Sequence, residues 1–260
     1  MIKNYLHYFI FNYIISTREQ TKRKEKTTTM LNYKDYKTEQ NWKRARKLGG
    51  SDATVILLND NGYKTIQDLY NELRTNTHKE TTSDFAEYGH EQEPLIRSKF
   101  LKDNLQYSLE FYKPFAIFTS DFDPLITASV DGIIKDISTN ELGLLEIKTR
   151  QVKDTSEWNN WKDPRYIKAN YIIQVAHYLN TIKDLNYCVL AIKLDFMDKS
   201  TILYKTFTRE HLQPLCDYVL KKELEFIEKL KNNIRPSLDL FDYNKWATYE
   251  LLEELDILAF

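Results

Sequence analysis

Two cysteines, Cys188 and Cys216, are all that 260 residues contain. That is too few for a disulfide framework or a four-thiolate metal centre, and both read as buried thiols of a reducing compartment. Glycine is scarce, at 6, beside abundant Lys, Asn, Ile and Tyr. Such usage fits AT-rich coding DNA, and it makes lysine-based motifs common by chance. There is no excess of charge of either sign: 37 basic against 38 acidic side chains give a formal net charge of −1. Any nucleic-acid surface is therefore a local patch and not a whole face. Without a large imbalance, and with 42% hydrophobic residues, the chain is not wholly disordered. Long apolar runs are also missing. Met1–Ser16 is apolar and aromatic but interrupted by Lys3, Asn4, His7 and Asn12. A spanning helix needs roughly 20 mostly apolar residues, so this stretch is too short and too polar. No small-residue cleavage site follows it. A polytopic membrane protein is excluded, and no membrane partner is expected.

What is present divides unevenly. Residues 1–29 carry six basic and two acidic groups and read as a basic, poorly ordered extension. Met30 offers an alternative start, which would leave that extension outside the native product. Residues 30–260 read as a single α/β domain, a length that allows a sizeable core. Helical spacing runs through 38–47, 53–58, 65–74 and 85–101, with Ser51 or Asp52 as the cap of the second helix. The period then shortens. The stretches 107–118, 125–134 and 143–149 read as strands. Helix returns over 166–180, two strands follow at 187–195 and 201–207, and helices close the chain at 209–231 and 246–255.

The chemistry concentrates in Ala128-Ser129-Val130-Asp131-Gly132 and Leu144-Leu145-Glu146-Ile147-Lys148-Thr149. Both acids sit in apolar runs, where a carboxylate is costly unless paired or bound to a cation. Glu146 and Lys148 are two apart on one strand and so share a sheet face. Asp131 is placed late in the preceding strand, and the 14 residues before Glu146 suit a hairpin return. Two hard oxygen ligands plus a backbone carbonyl make a Mg²⁺ site. A lysine beside it completes the equipment for metal-assisted phosphodiester hydrolysis. The competing reading is a Glu–Lys ion pair on a half-exposed strand.

Five segments in order carry a resemblance: Trp42 to Arg46 with Gly49-Gly50-Ser51-Asp52; Gly89-His90-Glu91-Gln92-Glu93-Pro94; Ser129-Val130-Asp131-Gly132; Glu146-Ile147-Lys148-Thr149; and Tyr171-Ile172-Ile173-Gln174-Val175. Over residues 42–179 the chain resembles the lambda-exonuclease/YqaJ viral recombinase family of PD-(D/E)XK nucleases. The resemblance implies a restriction-endonuclease-like core, a mixed central sheet flanked by helices. It makes Asp131 and Glu146 metal ligands, helped by the Ile147 carbonyl. Lys148 would orient or activate the attacking water, and Glu93 would complete the acidic site directly or through water. Gln174 would reach towards the water or the scissile phosphate. Arg46 and Ser51 would hold a 5′-phosphate, which suits backbone N–H groups at a helix start beside a hydroxyl and a guanidinium. Arg46 is nearer Ser51 than the family spacing leads one to expect, so Arg44 stays an alternative.

The implied activity is a Mg²⁺-dependent deoxyribonuclease, with Mn²⁺ able to substitute. The form expected is a 5′→3′ double-strand exonuclease of phage-type recombination, acting on duplex DNA ends in the cytoplasm of a bacterium or phage-infected host. A single-strand annealing protein and a homo-oligomeric ring are the implied partners. The alternatives are an endonuclease of the same fold, or a DNA-binding accessory with weak activity. An iron–sulfur nuclease is excluded for want of four cysteines. Simpler readings stand beside the sharp ones. Glu93 is also placed to be a solvated first-turn acid. His177 reads as a satisfied helix-face histidine, and His90 is not counted in the site. Trp158 and Trp161, among Lys162, Arg165 and Lys168, either stack on unpaired bases or plug the edge of the core.

Overall fold

The computed structural model describes residues 31–58, 64–77, 84–237 and 240–259. The expected basic extension, 1–29, lies outside the described residues. The central sheet is five-stranded, ordered β2-β5-β6-β8-β9, from β2 (Tyr107–Phe111), β5 (Gly132–Asp136), β6 (Leu142–Gln151), β8 (Leu185–Phe196) and β9 (Lys199–Thr208). Only the β6–β8 pair is parallel; its neighbours are antiparallel. A smaller sheet joins β1 (Tyr33–Asp35), β3 (Ala116–Thr119) and β4 (Thr127–Ala128).

β6 is buried on both faces, which is why Gly143–Ile147 reads as an almost unbroken apolar run. Its odd residues, Leu145 and Ile147, pack with Ile96 and Phe100 of helix α4 (Asp84–Asp103). Its even residues face the other way, towards α6 (Ala169–Thr181), since Lys148 bonds Gln174. The sheet is thus mixed and flanked by helices, as expected. The remaining helices are α1 (Glu39–Ala45), α2 (Gly50–Leu58), α3 (Ile66–Thr75), α5 (Thr155–Asn160), α7 (Arg209–Lys231) and α8 (Leu240–Glu254).

Several boundaries differ from the sequence reading, each for a local reason. The run 107–118 is two strands, in different sheets, because Pro114 lies between them and cannot donate to a ladder. The run 125–134 likewise divides into β4 and β5, with Ser129–Asp131 between. Asp131 therefore precedes its strand and is not late in it. Helix α2 begins at Gly50, so neither Ser51 nor Asp52 is its cap. Asp52 instead accepts the Gly49 amide hydrogen at 2.9 Å from the first turn. The stretch 166–180 starts as a strand, β7 (Tyr166–Ile167), paired in parallel with β10 (Leu258–Ala259); the helix begins at Ala169. Residues 154–160 were not anticipated as a helix; Asp154 caps α5 by accepting from the Glu157 amide at 2.8 Å.

Candidate active site

Pairing places Gly132 opposite Leu145, so Asp131, one residue earlier, stands level with Glu146. The Asp131 carboxylate accepts the Ile147 amide hydrogen at 2.8 Å. The two-residue alternation of β6 brings Lys148 Nζ to 2.7 Å from Glu146 Oε1. Lys148 also donates to Gln174 Oε1 at 2.8 Å. The Gln174 amide donates in turn to the Tyr178 hydroxyl at 2.6 Å. Glu146 is 2% exposed, and its Oε2 is buried without a hydrogen-bond partner. The half-exposed ion pair therefore does not describe this strand: the pair sits on the inner face.

The electrostatics record the crowding of acids. Burial pushes Glu146 up to about 8; the Lys148 ammonium opposes the shift, and the Asp131 and Glu93 carboxylates add to it. Burial likewise raises Asp131, against the pull of Lys148 and the Ile147 amide. Glu93 rises through burial and the nearby Asp131 charge, with His90 opposing. Burial alone would lower Lys148, but Glu146, Tyr178 and Asp131 together carry it above its ordinary value. Glu93 thus belongs to the same field as Asp131 and Glu146. It is not a solvated first-turn acid, for it lies mid-helix in α4 and bonds His90 Nδ1 at 3.0 Å.

Glu146 and Asp131 fit a hard divalent cation. Three carboxylates that resist ionising together, one with an orphaned buried oxygen, are what such an ion relieves. Among the described residues no group of three His, Cys, Asp or Glu side chains stands close enough to hold a metal by itself. The fit rests on the Asp131 and Glu146 carboxylates, with the Glu93 charge felt by both.

The phosphate pocket is only partly drawn together. The Arg46 guanidinium lies over the Trp42 ring, 4.7 Å from its centroid, and 3.6 Å from where a Cβ on Gly49 would stand. It is thus at the start of α2, where an anion is favoured. Ser51 is on the exposed side of that first turn, and Arg44 is exposed on α1.

Two residues of the site were not singled out from sequence. Arg97, one turn beyond Glu93 on α4, is 6% exposed and donates through Nε to the Asp131 carbonyl at 2.8 Å. Tyr178 stands one turn beyond Gln174. The signal for both was helical spacing from a site residue. His177 is satisfied as expected, but fully buried and not on an exposed face: Nδ1 meets Glu223 Oε1 at 2.6 Å and Nε2 meets the Thr127 carbonyl at 3.0 Å. Trp161 is buried and packs edge-on against Tyr166, and Trp158 stacks on Phe196 at 5.6 Å. Both tryptophans pack against aromatic residues of the chain itself.

The sequence signature of the YqaJ-like viral recombinase domain matches residues 40–182. No curated protein matches the chain. Among solved structures, an alkaline exonuclease, LHK-Exo from Laribacter hongkongensis, is similar over 82% of this chain and 99% of its own, with a TM-score of 0.55 and 17% identity. The same exonuclease in complex with dAMP is similar over 82% and 100%, with a TM-score of 0.54 and 17% identity. At that identity the likeness shows a shared fold. The signature, by contrast, spans more than half of the chain and takes in every residue assigned to the site, so this chain belongs to the YqaJ-like viral recombinase family.

Proposed function

We propose that the protein is a Mg²⁺-dependent deoxyribonuclease that degrades duplex DNA from its ends, 5′→3′, in phage-type recombination. The observation that carries this is the meeting of Glu146 and Lys148 on the inner face of β6, with Asp131, just before β5, bonded to the Ile147 amide between them. Family membership and the fold shared with alkaline exonucleases support the exonuclease form. Asp131, Glu146 and the Ile147 carbonyl would hold the metal, with Mn²⁺ able to replace Mg²⁺. Held there, the ion would supply Lewis-acid polarisation of the scissile phosphodiester.

The chain's own groups do the rest. Ile147 N–H holds the Asp131 carboxylate. Lys148, braced by Gln174, orients or activates the attacking water and offers a donor to the phosphate. Glu93 adds negative charge beside Asp131. Arg46, with Ser51, receives the 5′-terminal phosphate at the start of α2; its position against Gly49 favours it over Arg44.

The reading extends to a single-strand annealing partner, a homo-oligomeric ring around DNA, and action in the cytoplasm. Among the described residues no helix is long and apolar enough to cross a membrane.

The test is cleavage of three substrates with Mg²⁺: linear duplex bearing a 5′-phosphate, linear duplex without it, and covalently closed circular DNA. Degradation of the phosphorylated linear substrate, stopped by chelation and restored by Mn²⁺, is expected. Cutting of the closed circle would replace the exonuclease with an endonuclease of the same fold. No cleavage of any substrate with either metal would reject the reading.

A further inference from the structure

Gln174 has two polar ends, and its neighbours determine which faces which. An ammonium has donors only, so the atom that meets Lys148 is the amide oxygen, at 2.8 Å. The amide NH₂ must then point the other way. There it donates to the Tyr178 hydroxyl at 2.6 Å. Tyr178 is almost wholly buried on the same helix, one turn on. Gly50 closes the third side. A Cβ there would overlap the Gln174 side chain and come within 3.1 Å of the Tyr178 ring. Helix α2 therefore approaches α6 at a point where only a hydrogen fits, and the half-buried Gln174 is flanked by Lys148, Tyr178 and Gly50. The amide has no alternative rotamer of equal standing: turned over, it would set its NH₂ against the Lys148 ammonium, donor against donor.

We propose that Tyr178 is a positioning residue for the reaction, fixing the Gln174 amide so that its oxygen holds Lys148 beside Glu146. The order is Tyr178 to Gln174 to Lys148, and Tyr178 acts only through the other two. The Tyr178 ring fills space between helices whatever the hydroxyl does, so the hydroxyl is the part assigned here. Its kinetic consequence rests on the nuclease reading above; the arrangement itself does not.

The discriminating variant is Tyr178→Phe, which keeps the ring and removes one oxygen. Two measurements are made on the full chain. The first is the side-chain amide resonances of Gln174 by ¹H–¹⁵N NMR without substrate, assigned by their loss in Gln174→Ala. In the native protein they form one resolved, slowly exchanging pair. In Tyr178→Phe they shift and broaden as the amide gains freedom. An unchanged pair overturns the proposal, whether or not the protein cleaves DNA. The second is steady-state cleavage of linear duplex. Loss of the hydroxyl lowers kcat about tenfold with KM within about twofold, the scale of one well-placed hydrogen bond. Added to Gln174→Ala, it causes no further loss, because the two act as a unit. Equal losses in both backgrounds would overturn the proposal. A native protein that cleaves nothing would overturn the nuclease reading, and the amide spectrum would still decide the role of Tyr178.

Discussion

The Arg97 guanidinium donates through Nε to the backbone carbonyl of Asp131, at 2.8 Å, while its Cζ lies 3.5 Å from the centre of the Tyr112 ring. Asp131 is thereby held at both ends, its carbonyl by Arg97 on α4 and its carboxylate by the Ile147 amide on β6. Arg97→Met keeps an unbranched apolar stem and removes the donor. It costs about 2 kcal/mol of stability, as for a lost hydrogen bond from a charged group. Cleavage falls by more than DNA affinity does, because the tether acts on Asp131, which is proposed to hold the metal. Urea unfolding alongside single-turnover cleavage checks both; full activity with full stability would remove Arg97 from the site.

Lys148→Ala removes the cation that Glu146 and Gln174 share. Cleavage falls by about 10² or more, the scale for a group acting on the attacking water, while the Kd for duplex DNA stays within several-fold. Normal cleavage would show the active-site assignment to be wrong. Asp131→Ala abolishes cleavage at every Mg²⁺ concentration, and retained activity would move the metal site elsewhere.

Gly50→Ala puts a methyl where the Gln174 side chain stands. Either α2 shifts away from α6 or Gln174 leaves Lys148. The expected outcome is a loss of about 1–3 kcal/mol, typical of overpacking, with kcat reduced by more than tenfold. Thermal unfolding and cleavage rate read the two effects separately. A native-like rate would show that Gln174 tolerates displacement.

The buried His177–Glu223 pair makes stability depend on pH. Both ring nitrogens face acceptors, the Glu223 carboxylate on α7 and the Thr127 carbonyl on β4, so the protonated ring satisfies both. Burial pushes an imidazole down, but Glu223, the Thr127 carbonyl and the Asp52 charge on α2 outweigh it and raise His177. A folded pKa above the unfolded one gives stability that is complete below the unfolded value of roughly 6.5. It is lost as pH rises through the folded value. The gap in unfolding free energy between the native protein and His177→Gln is therefore largest below about pH 6.5, at about 3 kcal/mol, and narrows as the pH rises through the raised folded value. A gap that widens with pH would contradict the charged ring.

Much of the site was legible because it is local. The alternation of Glu146 and Lys148 on one face follows from strand geometry alone, as does their distance from Asp131 once a hairpin is granted. Five short segments in order carried the family and the fold. Strand boundaries were harder. Pro114 and the Ser129–Asp131 break each divide a strand-rich stretch between two sheets, and apolar residues on both sides of the break suit a strand equally well.

The sequence by itself determined which groups meet across neighbouring strands, since a two-residue repeat and a hairpin register are local rules. Only the tertiary structure decided what surrounds them. Arg97 reaches the Asp131 carbonyl across 34 positions in the chain, and Gly50 meets Gln174 across α2 and α6. His177 finds Glu223 46 residues away. Each of these contacts depends on how helices cross the sheet and each other. That is fixed by the packing of many apolar side chains at once, and no local pattern encodes it.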